Sequence, residues 1–369
     1  MEASLDKLTL RGFKSIRELE DFELKSLNIL VGANGAGKSN FVSFFRMLSA
    51  LIDGNLDDYV RDSGGISDLL FNGRKTTWKM EFLTFFGDRG YRFTIKPGPG
   101  EGFAITDEAR YYAGDTTGWW DLGSSGGTKS LLVEEATSKA PDQSYSSKLV
   151  YDAIRSWKIY HFHDTSQTAP MRHAEIVEDN ETLRANASNI APFLLHLREQ
   201  AYPVYEEILD ACRLVTPYLD DFLLKPQKLG PKTKVSLSWK AKGGDYPMQP
   251  YQLSDGSIRF ICLATALLQP NPPSTLIIDE PELGLHPEAI RILAELIQNA
   301  AKRTQLIIAT QSALLLDQFA VEDIVVVNRK DGQSTFERLS RKDYNVWLED
   351  YSVGELWTKN VIQGGTTHE

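Results

Sequence analysis

The chain has 369 residues, 42% hydrophobic, 24% charged and 10% aromatic, the balance of a soluble globular protein with one large domain or two ordinary ones. Its net charge of −10 excludes a generally basic binder of nucleic acid or anionic membrane, so any DNA contact needs a local basic patch or a partner. Cys212 and Cys262 lie in separate apolar, helical segments without metal or disulfide spacing, and read as reduced core residues of a cytoplasmic protein.

The opening MEASLDKLTL lacks the basic-then-apolar plan of a signal peptide, and no run reaches the ~18 apolar residues of a membrane span. Short strands and turns follow, ending in the apolar strand Leu27–Val31. NFVSFFRMLSALI carries apolar residues on most faces of a predicted helix, with Gly54 as its C-terminal cap. Residues 72 to 115 alternate β-type residues with turns, which predicts antiparallel strands. The Gly, Ser and Thr content of 121–148 predicts a mobile loop, and the period turns helical over 186–224. Then SIRFICLATALL (helix), STLIIDE (strand), HPEAIRILAELIQNAAKR (helix), TQLIIAT (strand) and DIVVVNRK (strand) predict a parallel sheet covered on both faces.

Three stretches carry chemistry. GANGAGKS places Gly32, Gly35, Gly37, Lys38 and Ser39 in the spacing G-x-x-x-x-G-K-[ST], with a strand before and a helix after. Glycines let backbone N–H groups close on phosphates, and the helix N-terminus adds positive potential. Lys38 would reach the β- and γ-phosphates of a nucleotide, and Ser39 would ligate Mg²⁺. TLIIDEPE ends a buried strand in Asp279, the second metal-site candidate, and Glu280, placed to orient or deprotonate the attacking water. YQLSDGSIRF is a polar turn opening an apolar helix, and by itself it reads equally well as an ordinary N-cap.

Together these stretches resemble ABC-type ATPases, with Leu253, Ser254, Asp255, Gly256 and Ser257 standing where that superfamily has its L-S-G-G-Q signature. In that superfamily the signature of one subunit covers the γ-phosphate held by the P-loop of another. PELGLHPEAI looks like the D-loop region and LIIATQS like the switch strand, with Gln311 where His is usual; glutamine can sense the γ-phosphate but cannot titrate. Asn34, Ala36 and Asn40 complete the P-loop form G-x-N-G-x-G-K-S-N. LTLRGFKSI and DEPELGLHP resemble the RecF, SMC and OLD branch, and the set with YHFHDTS and GELWTKNVIQGG resembles compact bacterial AAA-type ATPases found in anti-phage loci.

The resemblance implies an α/β fold: an ABC-type P-loop ATPase head with a mixed β-sheet flanked by helices, an antiparallel β subdomain and a helical insertion. One head would span 1–369, with 1–70 and 245–330 as nucleotide-binding core and 71–165 as a β-rich lobe. Residues 166–244 would be the helical insertion with a basic hairpin, and 331–369 a C-terminal tail. It further implies catalytic roles for Glu280, Lys38 and Gln311, ATP and Mg²⁺ as cofactors, and a homodimer or higher oligomer closed around ATP. A separate effector, a TOPRIM-like or HNH nuclease, is the expected partner, because the stretch after Gln311 is too short for a fused TOPRIM domain. DNA, bound directly or through that partner, and a RecF-like repair role stay open, and no membrane partner is expected.

Several residues keep two readings. His161 and His163 fall on one face of an expected strand, as packed residues or as metal ligands. Gln167 and Asp164 compete for the Q-loop position. Lys225, Lys228, Lys232, Lys234, Lys240 and Lys242, with no intervening acid, suit a solvated hairpin edge or a phosphate contact. Lys14 is either near the nucleotide or a surface lysine.

Overall fold

The computed structural model describes residues 4–138 and 141–362. Two six-stranded sheets organise the chain. One is antiparallel throughout, in the order Ile16–Glu23, Lys7–Phe13, Met80–Phe86, Arg89–Pro97, Phe103–Tyr112, Trp119–Gly123. The other runs Gln333–Arg338, Ile324–Lys330, Leu27–Val31, Gln305–Thr310, Thr275–Asp279, Lys158–Tyr160. Its pairs are parallel except at the edge where Ile324–Lys330 meets Gln333–Arg338. The sheet is therefore mixed and the fold is α/β with an antiparallel lobe.

Alternation along the strands gives the mixed sheet two apolar faces. Ile29, Val31, Ile278, Leu306, Ile308 and Val326 share one core with the helices Ile190–Gln200, Tyr202–Val215, Asp255–Leu268 and Pro287–Ala300. Leu30, Ile277, Ile307, Ala309, Val325 and Val327 belong to a second core with the helix Lys38–Ile52 and the antiparallel sheet. That helix lies between the layers, which is why its apolar residues cover most of its surface. Phe44 stacks on Phe82 with centroids 5.8 Å apart, and Phe45 meets Trp157 at 5.2 Å. Gly54, at φ 74°, turns the chain just beyond the helix's end.

The structure corrects three expectations. Residues 121–148 are not one continuous loop: they hold the end of the strand Trp119–Gly123, the helix Leu131–Thr137 and the start of the helix Pro141–Ser156, while 139 and 140 fall outside the described residues. Tertiary burial of Leu132, Val150, Ala153 and Ile154 outweighs the weak helix propensity of the serines around them. The helical run predicted to 224 ends at Val215, and Leu219–Leu223 pairs with Ser238–Ala241 as a strand. His161 and His163 lie beyond the short strand Lys158–Tyr160, not on it.

The tail carries the helix Val353–Thr358, whose Gly354 N–H donates to Asp317 at 2.6 Å, and residues 363–369 lie outside the described residues. Cys212 and Cys262 are free and buried, and burial pushes the Cys262 thiol up to about 12. Among the described residues no helix is long and apolar enough to cross a membrane.

Candidate active site

The strands Leu27–Val31, Thr275–Asp279, Gln305–Thr310 and Lys158–Tyr160 run parallel, so the segments leaving their carboxyl ends meet along one edge. That edge is where an open α/β sheet places ligands. It gathers the glycine loop 32–37, His161, Glu280 and Gln311.

The glycine loop is set by backbone conformation. Gly35 and Gly37 have φ of 79° and 118°, and Gly37 is the N-cap of Lys38–Ile52. A Cβ on Gly37 would strike the Ser334 hydroxyl, and one on Gly32 the Val327 carbonyl. Behind the loop, Ser334 Oγ donates to Ala36 O at 2.6 Å and lies 2.7 Å from Ser15 Oγ, which accepts from Asn40 Nδ2 at 2.7 Å. Asn40 therefore braces the loop from behind.

A cavity of about 150 Å³ is lined by Asn34, Gly35, Gly37, Lys38, Ser39, Asn40, Glu280 and Gln311. It has room for phosphates, while a base and ribose would lie outside. A larger cavity of about 930 Å³ opens at the amino ends of the same strands, beside Ser26, Lys158, Ser274 and Gln305, remote from this chemistry. Loop chemistry, not volume, identifies the site.

Lys38 is buried, and its ammonium donates to Gly32 O at 2.6 Å and Ala33 O at 3.2 Å. Burial lowers its pKa, although Glu280, Asp279 and Glu282 pull the other way. An ammonium held on its own loop's carbonyls, beside amide donors at a helix N-terminus, fits a polyphosphate that would replace those carbonyls. Ser39 is exposed at the mouth. No group of three or more His, Cys, Asp or Glu able to hold a metal occurs among the described residues. Ser39 and Asp279 suit Mg²⁺, which takes few protein ligands and arrives with phosphate oxygens and water.

Asp279 ends its strand half-buried, and burial first, then Glu280, raises its pKa. A carboxyl whose folded pKa exceeds its unfolded one costs stability once pH is above the unfolded value, so at neutral pH the nucleotide-free protein bears that cost. Asp279→Asn should therefore raise the stability of the nucleotide-free chain while removing Mg²⁺-dependent turnover. Thermal unfolding without nucleotide, beside a phosphate-release assay, reads both effects.

Glu280 adopts φ 46°, unusual for a residue with a side chain, and its N–H donates to Ala309 O at 2.7 Å. Gln311 Nε2 donates to Glu280 Oε1 at 2.6 Å. Glu282, within DEPE but given no role by the sequence, holds the segment after the strand Gln305–Thr310: its Oε1 accepts from Thr310 Oγ1 at 2.6 Å and from Gln311 N at 3.1 Å. Burial raises the Glu282 pKa. The glutamate after proline in DEPE was the available sequence signal.

The segment after Tyr160 reaches the site through histidines. His163 Nε2–H donates to Asp279 O at 2.9 Å, which sets its tautomer, and the His161 ring lies 4.0 Å from that of His163. Burial, then His163, lowers the His161 pKa. Gln167 is exposed, and Asp164 accepts from Ser166 N and Oγ in a local turn; neither lines the cavity beside Lys38. Lys14 Nζ donates to Ser43 Oγ at 2.9 Å, one turn along the helix from Ser39.

Ser254 is the N-cap of Asp255–Leu268 and accepts from Ser257 N at 3.1 Å. A Cβ on Gly256 would come within 2.6 Å of the Gly284 carbonyl, so the turn lies against the segment after Glu280. Ser254, Asp255 and Gly256 do not line the cavity beside Lys38.

The basic stretch forms Gln227–Leu229 and Lys232–Val235, paired antiparallel, followed by Ser238–Ala241. Lys240 is matched by Asp220 at 3.3 Å and Lys234 lies near Ala174 O, whereas Lys225, Lys228, Lys232 and Lys242 are exposed. Neutralising Lys225, Lys228 and Lys232 should reduce the slope of log K against log salt for DNA by about one for each phosphate left without its lysine. An unchanged slope in a filter-binding titration would remove the hairpin from DNA contact.

Solved structures share this fold over most of the chain. The Smc head bound to the C-winged helix domain of ScpA aligns with a TM-score of 0.57 and 18% identity, covering 93% of this chain and 99% of that one. The Smc head with an extended coiled coil, bound to the C-terminal domain of ScpA derived from Pyrococcus furiosus, gives 0.55 and 16%, covering 94% and 99%. The fold is that of the Smc heads. The family model described as "AAA domain, putative AbiEii toxin, Type IV TA system" matches residues 27–101 and 109–317, and the chain belongs to that family. No curated protein matches the chain.

Proposed function

We propose that the protein binds and hydrolyses ATP with Mg²⁺, and that two copies close around ATP to regulate a separate effector. The observation that carries this reading is the division of the site. The phosphate cavity holds Lys38, Ser39, Glu280 and Gln311, while Ser254, Asp255 and Gly256 stand outside it at an exposed helix N-terminus. One chain thus offers the cradle and a second chain the cover, so each site would need both. Lys38 would hold the β- and γ-phosphates, Ser39 and Asp279 the metal, Glu280 the attacking water, and Gln311 would sense the γ-phosphate.

The effector in this reading is a nuclease of TOPRIM-like or HNH type acting in anti-phage defence, inside the cell. Its support is indirect: the family description names a toxin of a toxin–antitoxin system, and the similar Smc heads are bound to ScpA. A RecF-like ATPase acting directly on DNA is the second reading, favoured by the exposed lysines of the hairpin. Affinity capture of the Glu280→Gln chain from its host with Mg-ATP separates the two. A stoichiometric protein lost in Lys38→Ala supports the effector reading; DNA without a protein partner supports the repair reading.

A further inference from the structure

At position 255 this chain has an aspartate where the L-S-G-G-Q pattern has glycine. Asp255 opens the helix Asp255–Leu268, and its side chain is 70% exposed. In the two-chain reading on which this inference rests, that surface meets the γ-phosphate bound by the other copy. A carboxylate there would repel the phosphate unless its charge were matched.

Arg172 supplies the match. Its side chain is only 5% exposed, and Nη2 donates to Asp255 Oδ1 at 2.8 Å. Nη1 donates to Pro250 O at 2.6 Å and Leu253 O at 3.1 Å, and Nε to Thr165 O at 2.9 Å. Carbonyls take three of the other N–H groups but carry no net charge, so Asp255 is the one carboxylate paired with this guanidinium among the described residues. Arg259, a turn further on, adds positive field at Asp255, while its own donors go to the carbonyls of Phe162, His163 and Leu283.

We propose that Arg172 is a positioning residue for the signature: it cancels the charge of Asp255 and fixes the turn Pro250–Asp255, so that the cover presents Ser254 and helix N–H groups to phosphate without net repulsion. The aspartate and the arginine are one device, and association is not expected to tolerate loss of the arginine while the aspartate remains. The fork also reaches Thr165, two residues beyond the histidine that donates to Asp279, so the cover is tied to its own chain's metal-site strand.

The test uses the full chain carrying Glu280→Gln, with ATP-dependent association followed by light scattering and ATP binding by calorimetry. Arg172→Gln should weaken association by about tenfold or more while leaving ATP affinity of the single chain unchanged. Adding Asp255→Gly should restore most of the loss, which a purely structural role for Arg172 would not do. Arg172→Lys keeps the charge but loses the fork to Pro250 O, Leu253 O and Thr165 O, so it should associate measurably but more weakly than the parent, and serves if Arg172→Gln does not fold. Undiminished association in Arg172→Gln, no rescue in the double variant, or failure of a folded Arg172→Lys to associate would each overturn the role of Arg172. If the parent itself shows no ATP-dependent association, the two-chain reading falls and this inference with it.

Discussion

Replacing Glu280 with glutamine should lower turnover by about 10²–10⁴-fold, the usual contribution of a positioned general base, while ATP affinity stays close to that of the native chain. The geometry supports so selective an effect. Glu280 stands at the end of the strand Thr275–Asp279, its N–H tied to Ala309 O and its Oε1 to Gln311 Nε2. A glutamine keeps the oxygen that Gln311 grips and the length that reaches the cavity, and loses only the capacity to take a proton. ATP bound without turnover should then hold two chains together. Phosphate release gives the rate, and size-exclusion chromatography with Mg-ATP gives the assembly. Native turnover in Glu280→Gln would remove it as the base.

Lys38→Ala should raise the Kd for ATP by about 10–100-fold, the loss of one charge-assisted hydrogen bond of roughly 1.5–3 kcal/mol. The nucleotide-free fold should tolerate the change better than its buried position suggests. The ammonium is desolvated there, and its bonds to Gly32 O and Ala33 O offset that burial only in part, as its lowered pKa records. ATP-dependent association should vanish with the binding. Calorimetry on the nucleotide-free chain measures the first effect and light scattering the second. Unaltered affinity would mean that the cradle does not hold phosphate.

The two variants separate binding from chemistry. A trapped assembly in one and no assembly in the other is the pattern expected of a site completed by a second copy. Failure of both to alter hydrolysis would overturn the assignment of ATP to this cavity.

The glycine loop, the strand ending in two acids and the helix opening at Ser254 were legible because each is contiguous in the chain and needs particular residue types at fixed spacing. The parallel part of the mixed sheet was legible too, since Leu27–Val31, Thr275–Asp279 and Gln305–Thr310 are apolar runs buried on both faces, whereas its antiparallel edge Gln333–Arg338 falls in the stretch read as a tail. The helices within 131–156 were not. Ser130 caps the first by accepting from Leu132 N, and Glu108 accepts from Ser130 Oγ and Leu131 N. That glutamate lies on a strand more than twenty residues earlier, so composition alone reported a loop.

What the sequence by itself determined is the inventory of this site: which side chains could hold phosphate, metal and water, and which local element carries each one. Only the tertiary structure decided how they are used. Gln311 meets Glu280 because two parallel strands end side by side, Ser15 and Ser334 brace the glycine loop from opposite ends of the chain, and Arg172 finds Asp255 across 83 residues. Local spacing constrains chemistry within a turn or two, whereas contacts between distant segments are set by how apolar faces pack, which no short stretch records.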